Sequence, residues 1–192
     1  MFQDNLEWLV FPPAVDLSNT VLVTPGGTHD LLESDDQLEA WIAAERGRIA
    51  GVEAASGRLT EVRQLRESAR ELLHARARGE RPPDKARRRI NAISASAPIR
   101  TELTTDGRAV AEPTSDDRYA VFEAAVARSA IELADREEDR LSVCEAPSCG
   151  MLYLRDLPRQ VWCSKACGNR ARVARHAARR RRRSRTRTVA AY

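Results

Sequence analysis

Four cysteines, all within the 24 residues from Cys144 to Cys167, restrict the fold of this chain more than any other feature. They form two pairs, Cys144-x4-Cys149 and Cys163-x3-Cys167, with thirteen residues between the pairs. A stretch with so few aliphatic side chains buries too little surface to fold without a staple. Zinc supplies one, because it takes four thiolates at about 2.3 Å in a tetrahedron, and two close pairs deliver them from two local turns. Pro147 lies inside the first pair and Gly150 follows it, which predicts a tight knuckle between short strands at Leu141–Val143 and Met151–Tyr153. Cys163 and Cys167 stand one turn apart at a helix start, where Ser164 and free backbone amides favour thiolate charge. The expectation is a treble-clef-like finger holding Zn2+ through Cys144, Cys149, Cys163 and Cys167. A buried cluster of reduced cysteines is the competing reading, and it leaves the stretch without its staple. His176 is a replacement ligand that four cysteines make unnecessary.

Arginines crowd in immediately after the last cysteine. Residues 141–192 hold thirteen Lys/Arg against two acids, a net of +11, so in a chain of net +4 the first 140 residues carry −7. An acidic body with a basic tail assigns any polyanion to the tail. A helix running from Cys167 to about Arg183 places Ala166, Arg170, Val173 and Ala177 on one face. Arg172, Arg175, Arg179 and Arg182 lie along another, where small alanines allow close approach to phosphates and guanidinium forks can pair with guanine edges. The candidate nucleic-acid contacts are Lys165, Asn169, Arg170, Arg172, Arg175, Arg179, Arg180, Arg182 and Arg183. Residues 184–192 read as a disordered basic tail that adds phosphate contacts without a fold of its own. DNA ranks ahead of RNA as the partner. An RNA-binding module is the alternative, and a basic tail that only aids solubility is the bland reading.

The body, residues 1–138, reads as mainly helical with one small hairpin. Trp8–Phe11 is an apolar run that Pro12-Pro13 stops. Asp16 to Thr20 is a short polar segment between Val15 and Val21, read first as a turn or cap. Pro25-Gly26-Gly27 is a loop. Ser34 and Gln37 form a capping box that opens a short helix burying Leu38, Trp41 and Ile42. A helix over 58–78 carries the stripe Val62, Leu65, Ala69, Leu72 and Leu73, with Arg63, Arg66 and Arg70 on a salt-bridged flank. Another spans 83–95, with Ala86, Ile90 and Ile93 inward. Residues 100–111 predict a hairpin around a two-residue type I′ turn at Asp106-Gly107. Asp116 or Asp117 caps the strongest helix, 117–137, with Phe122, Ala125, Val126, Ser129, Ala130 and Leu133 inward. The finger with its basic helix occupies 139–183.

Several classes of function drop out. No apolar run reaches the roughly 18 to 20 residues that span a bilayer, and the N-terminal flank is acidic where a signal peptide is basic. A cytoplasmic protein follows, in which thiols stay reduced and bind metal rather than form disulfides. His29, His74 and His176 have no nucleophile near them in sequence, and no glycine-rich phosphate loop is present, so an enzyme is not expected.

The finger resembles the CGNR zinc-finger family, whose four naming letters stand here as Cys167-Gly168-Asn169-Arg170. Val161-Trp162-Cys163-Ser164, Cys144, Cys149, Leu152-Tyr153 and Arg155-Asp156 extend the match. The body is similar to the ABATE domain, which carries an L-D-F-x-N-T motif, here Val15-Asp16-Leu17-Ser18-Asn19-Thr20. Leu38–Ile42 and Arg63–Leu73 also fit. The resemblance implies a bacterial, stress-linked transcription regulator that binds zinc through the four cysteines, nucleoid-associated where it binds DNA. It leaves the body to sense a small-molecule effector or to form a homodimer. Asp16, Asn19, Thr20 and Arg66 are the candidate ligand or structural motif there, and a polar pocket around Asp16, Asn19 and Arg66 would instead favour an enzyme.

Overall fold

The computed structural model describes residues 11–24, 26–136 and 140–189, with side chains as far as Arg181 at the C-terminal end. The Trp8–Val10 run, Pro25 and the side chains of Arg182 and Arg183 lie outside these residues. The described chain is mainly helical with small strand pairs, and it ends in the cysteine cluster and a helix.

Pro13 opens a short helix, α1 (Pro13–Ser18), rather than only ending the run before it. The ring fixes φ at a helical value, and its missing N–H is not needed in the first turn. A hairpin that the sequence did not disclose follows, with β1 (Val21–Thr24) antiparallel to β2 (Gly27–Asp30) and Val21 opposite Asp30. The capping box at Ser34 forms in both directions and starts α2 (Asp35–Glu45), which buries Leu38, Trp41 and Ile42. Gly51, at φ 75°, lets the chain pass under the next layer, since a Cβ there would strike the carbonyl of Arg118. Helix α3 (Leu59–Ala77) buries its predicted stripe, and α4 (Asp84–Ser96) buries Ala86 and Ile90.

The second hairpin pairs β3 (Ile99–Leu103) with β4 (Ala109–Pro113). Its turn is a three-residue loop and not the predicted two-residue one. Thr104 N–H donates to the Arg108 carbonyl at 2.8 Å, and only Gly107 of the intervening residues has positive φ, at 81°. Asp106 stays at negative φ because a type I turn closed by one left-handed glycine serves the same purpose. Asp117 caps α5 (Arg118–Arg136) by accepting from the amides of Tyr119 and Ala120 at 3.0 and 3.1 Å.

Helix α5 packs on α1, α3 and α4, and the core lies among them. The finger hairpin, β5 (Leu141–Val143) with β6 (Leu152–Leu154), lies against α1 and α3. Leu141 and Leu152 belong to the same buried cluster as Leu17, Val62, Leu65 and Phe122. Finger and body therefore share one apolar interior. Beyond them α6 (Lys165–Val189) leaves the body, and it continues six residues past the expected end at Arg183. Ser184 to Thr188 contain no glycine or proline to stop it, so that stretch is helical where a disordered arm was expected.

Candidate metal centre and nucleic-acid interface

The knuckle holding the first cysteine pair is shaped by two left-handed residues, Ser148 at φ 55° and Gly150 at φ 72°. Cys144 N–H donates to the Met151 carbonyl at 2.9 Å, which closes the turn on the hairpin. The second pair sits at the base of α6. Ser164 is its cap, accepting from the Cys167 amide at 3.2 Å, so Cys163 precedes the helix and only Cys167 lies within it. Gln160 ties the loop between the pairs together. Its carbonyl accepts from the Tyr153 hydroxyl at 2.9 Å, and its side-chain amide donates to the Trp162 carbonyl at 3.1 Å.

These elements bring the four sulfurs within 4.8 Å of one another. Cys149 Sγ lies 3.8 Å from both Cys163 Sγ and Cys167 Sγ, and Cys163 Sγ lies 3.6 Å from Cys167 Sγ. Thiolates at about 2.3 Å from one zinc ion stand about 3.8 Å apart, the edge of the tetrahedron. The spacing and the all-thiol donor set fit Zn2+. As bare thiols the group limits its own ionisation. The hydrogen bond between Cys149 and Cys163 brings Cys149 down to about 5 and pushes Cys163 up, while burial raises Cys144. A dication removes that conflict by pairing with the thiolates.

Further groups address the sulfurs. Arg170 Nη2 donates to Cys167 Sγ at 3.0 Å, and the Cys163 amide donates to Cys144 Sγ at 3.4 Å. The arginine of the CGNR sequence thus turns toward the thiols, although charge alone had grouped it with the phosphate contacts. The glycine of that sequence has a steric reason. A Cβ on Gly168 would stand 3.1 Å from Trp162 Cε3, so any other residue would press the indole a few tenths of an ångström off the helix. Arg175 covers the same ring, its guanidinium carbon 5.6 Å from the centroid. Trp162 stands in the sequence reading as part of the family match without a role, and its place between two cysteine-bearing turns was the available signal for one.

The outward face of α6 is basic. Lys165, Asn169, Arg172, Arg175, Arg179, Arg180 and Arg181 are exposed, and no acid occurs in the helix. Among its residues as far as Arg181 the buried ones lie at the base, at Cys167, Gly168 and Ala171, while Ala166, Ala177 and Val173 face solvent, Val173 at 70% exposure.

The body motif does different work from a ligand pocket. Asp16, Asn19, Thr20 and Arg66 are buried, and each finds partners inside the chain. Asn19 donates to the Leu152 carbonyl and accepts from the Leu152 amide, both at 2.9 Å, so it pairs with β6 as a neighbouring strand would. Asp16 accepts from Arg48 at 2.9 Å and from the Phe11 amide at 3.2 Å. Glu45 shares that same guanidinium at 2.7 Å. Burial pushes Asp16 up to about 7 despite Arg48, and Glu45 is raised for the same reason. Arg66, 2% exposed, grips both oxygens of Asp30 at 2.5 and 2.7 Å and reaches Thr20 Oγ1 at 3.1 Å. Burial works against the Asp30 carboxylate, but hydrogen bonds from Arg66 and Leu32 hold it below its ordinary range.

No helix among the described residues is long and apolar enough to cross a membrane. A search of curated proteins finds no match. Two family models do match: ABATE, described as "Putative stress-induced transcription regulator", over residues 12–137, and the CGNR zinc finger over residues 140–180. With most of its length inside the first of these and all four thiols inside the second, the chain belongs to the ABATE family and carries a CGNR zinc finger.

Proposed function

We propose that this protein is a zinc-dependent regulator that binds duplex DNA through α6, acting in the cytoplasm on the nucleoid. Cys144, Cys149, Cys163 and Cys167 are the zinc ligands, and Arg170 supports the Cys167 thiolate. One observation carries the reading: a 25-residue helix without an acid starts at a four-thiol site that fixes its direction. At 1.5 Å per residue such a helix is about 37 Å long, close to one turn of duplex, so its cations can follow the phosphates or lie in the major groove. Lys165, Asn169, Arg172, Arg175, Arg179, Arg180, Arg182 and Arg183 make those contacts. The body holds the finger through Asn19 and the shared core. Its motif residues are held by partners inside the chain, Asp16 by Arg48, Asn19 by Leu152 and Arg66 by Asp30, which supports a structural role. Both matched families are regulatory or zinc-binding, in keeping with a protein that is not an enzyme.

Fluorescence anisotropy with labelled duplex DNA tests this. Binding should disappear with a chelator and in Cys163→Ser, and should weaken steeply with salt. If the seven named cations all meet phosphate, the slope of log K against log salt is roughly −6. Equal affinity of the zinc-free protein would remove the finger from the account. Preferential displacement of the duplex by structured RNA would establish the RNA-binding alternative.

A further inference from the structure

Strand β3 is exposed at all five of its positions, and two of the exposed large apolar side chains of the molecule lie on it, Ile99 at 41% and Leu103 at 76%. The ladder shows which backbone groups it leaves over. Thr114 N–H donates to the Pro98 carbonyl at 2.9 Å and Thr104 N–H to the Arg108 carbonyl at 2.8 Å. Even-numbered residues of β3 therefore bond β4, and the amides and carbonyls of Ile99, Thr101 and Leu103 point to the free edge. An exposed edge with apolar side chains is a template for another strand.

The order Ile99-Arg100-Thr101-Glu102-Leu103 says which strand fits. Antiparallel pairing of β3 with itself about Thr101 sets Ile99 opposite Leu103 of the second copy. Arg100 then faces Glu102, and Thr101 faces Thr101. Apolar meets apolar, cation meets anion twice, and the hydroxyl pair lies on the two-fold axis, each a favourable cross-strand pair. The three residues that face one another across hydrogen bonds in this register are the three whose backbone groups are free. Arg100 already reaches Glu102 along its own strand at 2.9 Å, so both charges lie on one face of the hairpin. The outer edge of β4 does not share this property. Pro113 removes one of its outward donors, and self-pairing about Ala111 would set Val110 against Glu112.

We infer that two copies of this chain associate through β3, forming a continuous four-stranded antiparallel sheet across a two-fold axis. The dimer presents two basic helices at once, and it does not depend on what those helices bind.

Sedimentation velocity on the full-length zinc-loaded protein, at about 1 to 100 μM, reads this out, with a dimer at twice 21.4 kDa. Arg100→Glu sets like charges opposite each other at two places in the seam and should weaken the dimer about tenfold or more. The double exchange Arg100→Glu with Glu102→Arg restores both pairs and should recover the dimer, which a merely structural effect of the first change would not do. Thr101→Pro removes the central donor and should leave a monomer. A protein monomeric throughout, or a dimer untouched by Arg100→Glu or not recovered by the exchange, overturns the proposal. Since DNA is absent from the measurement, the result stands apart from the assignment of α6.

Discussion

Asn19 shows how much one side chain can carry. It presents a donor and an acceptor to the buried backbone of Leu152, replacing a missing strand at the edge of the finger. Asn19→Ala leaves a buried amide and a buried carbonyl unpaired at about 1 to 3 kcal/mol each. Equilibrium denaturation should therefore show a loss of roughly 2 to 5 kcal/mol. A change within experimental error would mean that water or a shifted strand replaces the pair. Asp16 gives a pH dependence. With its pKa raised from 3.8 to about 7 by burial, the fold binds more protons than the unfolded chain between those values. Stability then falls as pH rises through that window, by an amount on the order of 2 to 4 kcal/mol. Glu45, also raised by burial, acts in the same direction. Asp30, held low by Arg66, acts in the opposite one, and its contribution is lost as acid passes below the ordinary carboxylate range. Asp16→Asn should flatten the decline between pH 4 and 7 in pH-dependent unfolding. An unchanged curve would place the proton elsewhere.

At the scale of elements, helices with a complete local grammar were readable from sequence. The capping box of α2, the leucine stripe of α3 and the Asp117 cap of α5 each combine a start signal with a buried face, and each stands where expected. The hairpin of β1 and β2 was not readable, because Gly27-Thr28-His29-Asp30 has no strand preference of its own. What holds Asp30 is Arg66, 36 positions away. Arg66 and Asn19 were singled out in sequence, but their partners are non-local, and a motif alone does not name the other side of a contact. Helix α6 illustrates the converse, a regular element with little around it. From Arg172 to Arg181 most of its side chains face solvent, and Arg175 with Arg179 stand one turn apart as like charges. Phosphates remove that repulsion. Far-UV circular dichroism should therefore show a gain in the melting midpoint of the helix when a short duplex is added, and a smaller gain on adding salt alone. No gain with duplex would mean that the distal arginines do not meet phosphate.

At the scale of the molecule, the two family matches divide the chain where the interior does not. Leu141 and Leu152 belong to the finger by sequence, yet they are buried with Leu17 and Leu65 of the body, and Asn19 fastens that seam. A structural zinc site in a small finger contributes about 10 to 16 kcal/mol, comparable with the 5 to 15 kcal/mol that holds a whole domain. Removing the metal should therefore cost the body as well as the finger. Trp41, buried in the body, and Trp162, at the cysteine cluster, are separate reporters of the two parts. In variants that keep only one tryptophan each, thermal unfolding of the zinc form should give the same midpoint at both sites. Chelation should lower that midpoint at both, by far more than the few degrees expected for one lost surface contact. If Trp41 kept its midpoint after zinc removal, finger and body would be independent units, and Asn19 would join them without coupling their stability. A shared loss would mean that zinc sets the stability of the platform from which α6 projects, so metal supply would govern both the fold and the direction of the basic helix.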